Sequence, residues 1–172
     1  MLEYLIKDLA ETLQYLPYGI VVGIVVMLLL KVINKKRVRS GRTPFCVVST
    51  TALLTYIFII LCITFLSRES GSRIGVDMEL FATWGINDRN NAYVVENVLL
   101  FVPYGILVPW VFKGCRNFCA SLFIGITTSF AVECLQLVTS RGYFQIDDIL
   151  TNTLGAVIGY FVFKLFNCMK RR

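Results

Sequence analysis

A line of polar side chains runs through an otherwise apolar stretch of the sequence. It consists of Ser129, Glu133, Gln136 and Ser140. Their spacing, i, i+4, i+7 and i+11, places them on one face of an α-helix. An acidic residue at the centre of a membrane helix costs about 2.5–3.5 kcal/mol on insertion scales, so its presence requires a partner or a purpose. Glu133 is therefore the centre of a candidate site.

Charged and amide side chains also fall at the ends of the neighbouring apolar stretches. Glu96 and Asn97 stand near the start of one stretch, and Arg141 and the pair Asp147–Asp148 precede another. Three helices would thus bring these groups to the same end of a bundle. An arginine binds a phosphate or a carboxylate through two hydrogen bonds, and carboxylates pair with amines. The candidate ligand-binding residues are Asn97, Glu133, Gln136, Arg141, Asp147, Asp148 and Asn152.

The same residues also have structural interpretations. Asp147 and Asp148 stand at the start of a helix, where carboxylates cap backbone N–H groups and match the helix dipole. Arg141 would neutralise Glu133 or the two aspartates in a buried network that fixes packing. Carboxylate oxygens also suit a divalent cation, but the spacing of a calcium-binding EF-hand loop is missing. The sequence therefore predicts no metal site.

The composition excludes an ordinary soluble domain. Of the 172 residues, 56% are apolar and 16% are charged, against roughly a quarter charged in soluble domains, and the mean hydropathy is +0.69. The sequence has no histidine, which removes the commonest general base and the commonest metal ligand. The six cysteines lack CxxC spacing and are expected to be free thiols. No cofactor is predicted. The net charge of +6, without an aqueous domain to carry it, does not indicate nucleic-acid binding.

Five apolar stretches have about the 20 residues that an α-helix needs to cross a bilayer, and they lack the strict alternation of β-barrel strands. The sequence therefore predicts an all-α integral membrane protein, a bundle of about five transmembrane helices in one domain over residues 1–172. An amphipathic pattern ahead of Pro17 predicts a short N-terminal interfacial helix. The predicted spans are residues 12–33, 43–67, 92–112, 117–140 and 149–169.

The distribution of positive charge predicts the orientation. Twelve of the 17 lysines and arginines flank one end of the spans, and six of these twelve form a basic segment at residues 31–42. By the positive-inside rule this end is cytoplasmic, which puts the N-terminus outside, the C-terminus inside and the candidate site at the outer face. The basic segment is expected to sit against anionic headgroups. The start of the sequence lacks the pattern of a cleavable signal peptide, and Met78–Trp84 is expected to fold onto the outer surface.

Small residues and prolines predict features of helix packing. Gly19 with Gly23 and Gly155 with Gly159 have the four-residue spacing of close helix contacts. The same glycine faces offer a way to form a homodimer. Pro103 and Pro109 lie within the third predicted span, where proline removes backbone donors and is expected to interrupt or kink the helix.

Two blocks of the sequence resemble the VanZ-like membrane protein family. The first block, Glu96–Gly105, resembles the family signature Asn-x-x-Leu-Phe-x-Pro-x-Gly, and Pro109 follows it. The region of resemblance covers about residues 78–160. At Gln145 family members commonly have an acidic residue, which makes a site of three carboxylates for a metal less plausible here. The second block is Glu133-x-x-Gln136, Arg141, Ile146-Asp147-Asp148, Asn152-Thr153-x-Gly155 and Gly159-Tyr160.

The resemblance implies a multi-pass protein of the bacterial plasma membrane that acts at the outer face. It also implies lowered susceptibility to teicoplanin-type glycopeptide antibiotics, without the rewriting of peptidoglycan precursors that other resistance proteins perform. It implies no particular reaction.

The favoured interpretation is a non-catalytic envelope protein whose polar pocket in the outer leaflet binds an amphiphile. Besides membrane lipids, the expected ligands are a lipoglycopeptide antibiotic or a lipid-linked cell-wall precursor. One alternative is a membrane-embedded enzyme acting on lipid-linked envelope substrates, with Glu133 or Asp148 as general base. Another is a small transporter, although polar groups confined to one end of the bundle give no continuous path across it.

Overall fold

Within the described residues the fold is a bundle of helices with one short pair of strands. The computed structural model describes residues 1–66, 71 and 75–169, and about 81% of it is helical. Five helical stretches are long and apolar enough to cross a membrane, which confirms the prediction of an α-helical membrane bundle. In chain order the helices are α1 (Leu2–Thr12), α2 (Leu16–Arg39), α3 (Val47–Leu61), α4 (Asp88–Val111), α5 (Phe118–Val138) and α6 (Ile146–Met169).

The ends of the helices differ from the predicted spans where turns or polar residues extend them. A 3-10 turn at Leu13–Tyr15 joins α1 to α2 in one helical run, and α3 continues as a π-helical turn at Cys62–Leu66. The helix α4 begins four residues before the predicted span, at Asp88. It does so because the side chain of Asn87 accepts the backbone N–H of Asn90 at 2.8 Å and caps the helix.

From α2 to α6, consecutive helices alternate in direction, so the bundle has two ends. At the first, which we call the site end, α4 and α6 begin; Asn97 in α4 contacts Asp148 in α6 there. At the second, the basic end, α2 connects to α3. Two hydrogen bonds of 2.8 and 2.9 Å between the Asn34 side chain and the backbone of Phe45 close this connection. The predicted candidate residues therefore lie at one end and the basic segment at the other.

The helices α4 and α6 form the most extensive helix contact of the bundle, and α5 packs against α6 beside it. A Cβ atom on Gly155 would overlap the carbonyl oxygen of Val98, and one on Gly159 would overlap that of Val102. The two backbones therefore touch directly. The pair Gly155 and Gly159 forms a close helix contact as predicted, but within one chain, and does not present a free face for a second copy.

The helix α4 continues through both of its prolines, so the predicted interruption of the third span is not observed. The hydroxyl of Tyr56, from α3, donates to the carbonyl oxygen of Leu100 at 2.7 Å, three residues before Pro103. Pro103 removes the donor of the carbonyl oxygen of Leu99, four residues before it, and the Tyr56 contact holds the next carbonyl, so it ties α3 to α4 just before the proline.

A short parallel pair of strands connects two loops at the site end. Strand β1 (Val76–Asp77) pairs with β2 (Phe144–Gln145), with Val76 opposite Phe144 and Asp77 opposite Gln145. The sequence did not predict these strands. Several cations used to predict the orientation lie outside the described residues, namely Arg68, Arg73, Lys170, Arg171 and Arg172.

Candidate functional site

Glu133 points into the bundle and not toward lipid. It lies in the last two turns of α5, and 1% of its surface is exposed. One carboxylate oxygen, Oε2, accepts the backbone N–H of Gln145 at 3.2 Å. This contact connects α5 to β2, immediately before α6 begins. The donor is a backbone group, so no side-chain pattern in the sequence could have identified it.

Two amides extend the polar line on either side of Glu133. The Nδ2 of Asn152, from α6, donates to the hydroxyl of Ser129 at 3.0 Å, and both side chains are buried. The Nε2 of Gln136 lies 3.5 Å from the carbonyl oxygen of Thr64, in the π-helical turn that continues α3. Helices α3, α5 and α6 therefore meet along this line. Thr64 is a contact that the sequence analysis missed, because it is far away in the chain.

Two buried amide oxygens in this line have no hydrogen-bond partner among the described residues. They are Oε1 of Gln136 and Oδ1 of Asn152. Leaving a buried acceptor unpaired costs about 1–3 kcal/mol, and native structures contain few such groups. An ammonium or hydroxyl donor placed beside these two oxygens would pair with them.

The two aspartates at the start of α6 have different partners. Asp148 accepts a 2.8 Å hydrogen bond from the side chain of Asn97, which connects α6 to α4. Asp147 is 6% exposed, and its two oxygens accept the backbone N–H groups of Phe81 and Thr83 at 2.7 and 3.0 Å. Asp147 therefore holds the segment after β1 against the site end, in line with the predicted folding of Met78–Trp84. Its carboxylate is engaged in a structural contact.

Arg141 lies in the turn between α5 and β2. Its Nη1 donates to the carbonyl oxygen of Phe65 at 2.6 Å, so the guanidinium contacts the end of α3. The preceding residue, Ser140, has a φ of 54°, a left-handed conformation that reverses the chain directly after α5. The turn brings this cation to the same end of the bundle as the carboxylates.

A small cleft at the site end adds an apolar surface to this polar set. It has a volume of about 170 Å³ and lies next to Asp147. Within the described part of the chain, no group of three or more His, Cys, Asp or Glu side chains is arranged to hold a metal ion. The other lining residues of the cleft are Phe81, Trp84, Val94, Leu150 and Thr151.

All seven candidate residues thus lie at or near the site end, joined by contacts among α3, α4, α5 and α6. A comparison with family models gives a match to VanZ/LLP1 over residues 20–167, which is most of the chain. The chain belongs to the VanZ/LLP1 family. The match extends beyond the two blocks that carry the resemblance and includes most of α2 and all of α3.

A curated relative in the VanZ/LLP1 family is Protein VanZ of Enterococcus faecium, which is 30% identical over 74 residues. That alignment covers 43% of this chain and 45% of the relative, so the chain spans less than half the length of the protein it matches. No solved structure matches the chain.

Proposed function

We propose that this VanZ/LLP1-family protein lowers susceptibility to teicoplanin-type glycopeptide antibiotics by binding an amphiphile at the outer face of the bacterial plasma membrane. The binding surface is the polar line of Glu133, Gln136 and Asn152 at the site end. The excess of lysine and arginine at the basic end supports an outward-facing site. The relation to Protein VanZ supports the resistance role.

The unpaired oxygens of Gln136 and Asn152 are the observation that carries this proposal. They stand on either side of the Glu133 carboxylate, which is itself buried. A donor-rich ligand group, such as an amine or a cluster of sugar hydroxyls, would satisfy these two oxygens. The ligand headgroup is therefore expected to be a hydrogen-bond donor rather than an anion.

The apolar part of the ligand has a neighbouring surface to occupy. Phe81, Trp84 and Leu150 line the cleft at the same end of the bundle, beside the lipid-facing surface of α6. Because Glu133 is 1% exposed, a ligand reaches it only when the segment that carries Gln145 moves aside. Binding would then exchange the N–H of Gln145 for a donor of the ligand.

Glu133→Gln tests the proposal, because it removes the charge with almost no change in shape. We expect a bacterial host that expresses the variant to lose protection against a teicoplanin-type antibiotic, with unchanged abundance of the protein in the membrane. Purified protein in lipid nanodiscs should bind a fluorescent derivative of the antibiotic about tenfold more weakly than the unmodified chain, the factor for one charged hydrogen bond. Glu79→Gln, an exposed carboxylate at the same end, is the matched control.

Full protection by Glu133→Gln at equal abundance would remove Glu133 from the mechanism. A lipid analysis of the expressing cells separates binding from catalysis. A pool of lipids or precursors that changes with expression, and no longer changes with Glu133→Gln, would replace the binding proposal with an enzyme that acts on lipid-linked substrates.

A further inference from the structure

An open groove between α2 and α3 lies away from the candidate site. Its volume is about 580 Å³, within the range of pockets that hold small ligands. Gly19 and Gly23 form part of one wall, where the missing side chains make room, and Thr51, Ala52 and Thr55 stand on the opposite wall. Nearly all of the surface is apolar, so the groove accepts hydrocarbon and not a polar molecule.

The dimensions of the groove match one leaflet of a bilayer. On α3 the lining residues run from Val47, the first residue of the helix, to Ile59. At 1.5 Å per residue this is about 18 Å, slightly more than half of the roughly 30 Å hydrocarbon core. An acyl chain that enters at Val47 would therefore lie in the groove over the full depth of the leaflet at the basic end.

The segment that connects α2 to α3, at the basic end of the groove, is rich in lysine and arginine. Residues 12–67 contain no acidic side chain, so the cations of this region have no internal counter-charge in sequence. Lys31 stands one helical turn beyond Met27, which lines the groove, and is exposed. Arg37 stacks on the ring of Phe45 at 4.1 Å and donates to the carbonyl oxygen of Thr43, which fixes the connection just before Val47, where the groove begins on α3. The six cations are Lys31, Lys35, Lys36, Arg37, Arg39 and Arg42.

We propose that the α2–α3 groove and the basic segment together bind one anionic phospholipid, with an acyl chain in the groove and the phosphate beside the cations. The charge at the basic end selects an anionic headgroup over a zwitterionic one, since each lysine or arginine near the membrane surface contributes to the attraction. The site is independent of Glu133 and of the proposed resistance function.

Native mass spectrometry of the full chain tests the proposal. The protein is released from nanodiscs that contain equal amounts of phosphatidylglycerol and phosphatidylcholine with identical acyl chains. We expect one phosphatidylglycerol to be retained in preference to phosphatidylcholine. Ala52→Phe places a large side chain in the groove at an exposed position and leaves every charge in place. It should reduce retained phosphatidylglycerol at least threefold, an expectation from filling an apolar pocket. Leu54→Phe, exposed on the same helix but outside the groove, should leave retention unchanged.

Variants that remove a positive charge test recognition of the headgroup separately from binding of the acyl chain. Lys31→Gln and Arg42→Gln should each weaken the preference for phosphatidylglycerol about fivefold. Lys113→Gln, which is exposed at the basic end but lies between α4 and α5, is the control and should have no effect. Glu133→Gln should also have no effect on lipid retention, so failure of this proposal is distinct from failure of the resistance proposal.

Two results would overturn the lipid site, and one form of the second would also identify what occupies the groove instead. Equal retention of both lipids by the unmodified chain would show that the charge does not select the headgroup. Unchanged retention in Ala52→Phe would place the bound lipid elsewhere. If Ala52→Phe instead dissociated a dimer and left lipid retention unchanged, the groove would be an interface between two copies of the chain.

Discussion

Two helix pairs in this protein contain glycines four residues apart, and they use them differently. In the pair α4–α6, Gly155 and Gly159 let one backbone touch the other, so that a Cβ atom would overlap a carbonyl oxygen. In the pair α2–α3, Gly19 and Gly23 face side chains, and the nearest atom to a Cβ on Gly19 is the tip of Ile59 at 3.1 Å. The same spacing therefore gives a fixed backbone contact in one pair and an open groove in the other.

The buried polar side chains are concentrated near the closely packed helix pair and not in the open groove. Most of the buried polar side chains, among them Glu133, Asp147 and Asn152, belong to α5 and α6, where the close contact of α6 with α4 fixes the helix positions. The pair α2–α3 contributes only uncharged groups such as Thr51 and Thr55 to its shared groove. A buried charge requires partners at set distances, which a rigid helix contact provides. The open groove between α2 and α3 contains no charged side chain, so its helices do not need to hold partners at set distances.

The largest expected difference between the two helix pairs is in stability: Gly155→Ala should lower the free energy of unfolding much more than Gly19→Ala. The alanine at 155 must push α6 away from α4, and overpacking of this kind costs about 1–3 kcal/mol or more. At position 19 the new methyl group meets only the end of a flexible side chain, and the better helix propensity of alanine offsets the crowding to within about 1 kcal/mol. The measurement is the free energy of unfolding in detergent for the two variants and the unmodified protein. Equal losses of unfolding free energy in the two variants would contradict the difference between a fixed backbone contact in α4–α6 and an open groove in α2–α3.

Asp147→Ala is expected to release the segment after β1 while the helix bundle stays folded. The change removes two charge-assisted hydrogen bonds, to the N–H groups of Phe81 and Thr83, each worth about 1.5–3 kcal/mol. Hydrogen–deuterium exchange of the peptides that contain these two amides should accelerate, and peptides from α2 and α3 should not change. Glu79→Ala, on the same segment but exposed, is the control. Unchanged exchange of Phe81 and Thr83 would mean that another contact holds the segment.

The hydrogen bond between Asn97 and Asp148 should make a smaller contribution. A double-mutant cycle with Asn97→Ala and Asp148→Ala is expected to give a coupling energy of about 1–2 kcal/mol, because the acceptor is charged and the pair is partly buried. The free energy of unfolding of the four proteins gives the coupling directly. Additive effects would show that the hydrogen bond between Asn97 and Asp148 does not contribute to holding α4 against α6.

The sequence predicts the helices well because each membrane span is one continuous apolar stretch of about 20 residues, which can be recognised without knowing its neighbours in space. It also predicts that Glu133 and Gln136 turn inward, since their helical spacing and the desolvation cost of the carboxylate are both visible in the chain. It does not predict the strand pair, the contact of Gln136 with Thr64 or the bonds from Asp147 to the segment after β1, because their partners are distant in sequence. The helix-cap interpretation of Asp147 identified a structural role but assigned it to the wrong backbone groups.

Cysteine labelling compares the start of α3 with the start of α5, without an expected change in stability. Cys46 precedes α3 and Cys119 is in the first turn of α5, and both are exposed at the basic end. Hydrogen bonding with Ser49 lowers the pKa of the Cys46 thiol, which raises the fraction of reactive thiolate at neutral pH, so Cys46 should label first. Burial raises the pKa of Cys115, which should react slowly despite its position close to Cys119.

With a membrane-impermeant maleimide on intact cells, we expect Cys46 and Cys119 to stay unlabelled until the membrane is permeabilised, because the positive-inside rule puts both on the cytoplasmic side. Cys62 is 2% exposed and should stay unlabelled in intact and in permeabilised cells. It therefore reports whether the protein is folded and not on which side of the membrane the residue lies. Labelling of Cys119 but not Cys46 on intact cells would mean that α3 and α5 enter the membrane from opposite sides. Because the structure runs these two helices in the same direction, that result would contradict the helix arrangement itself, whereas labelling of both would reverse only the orientation.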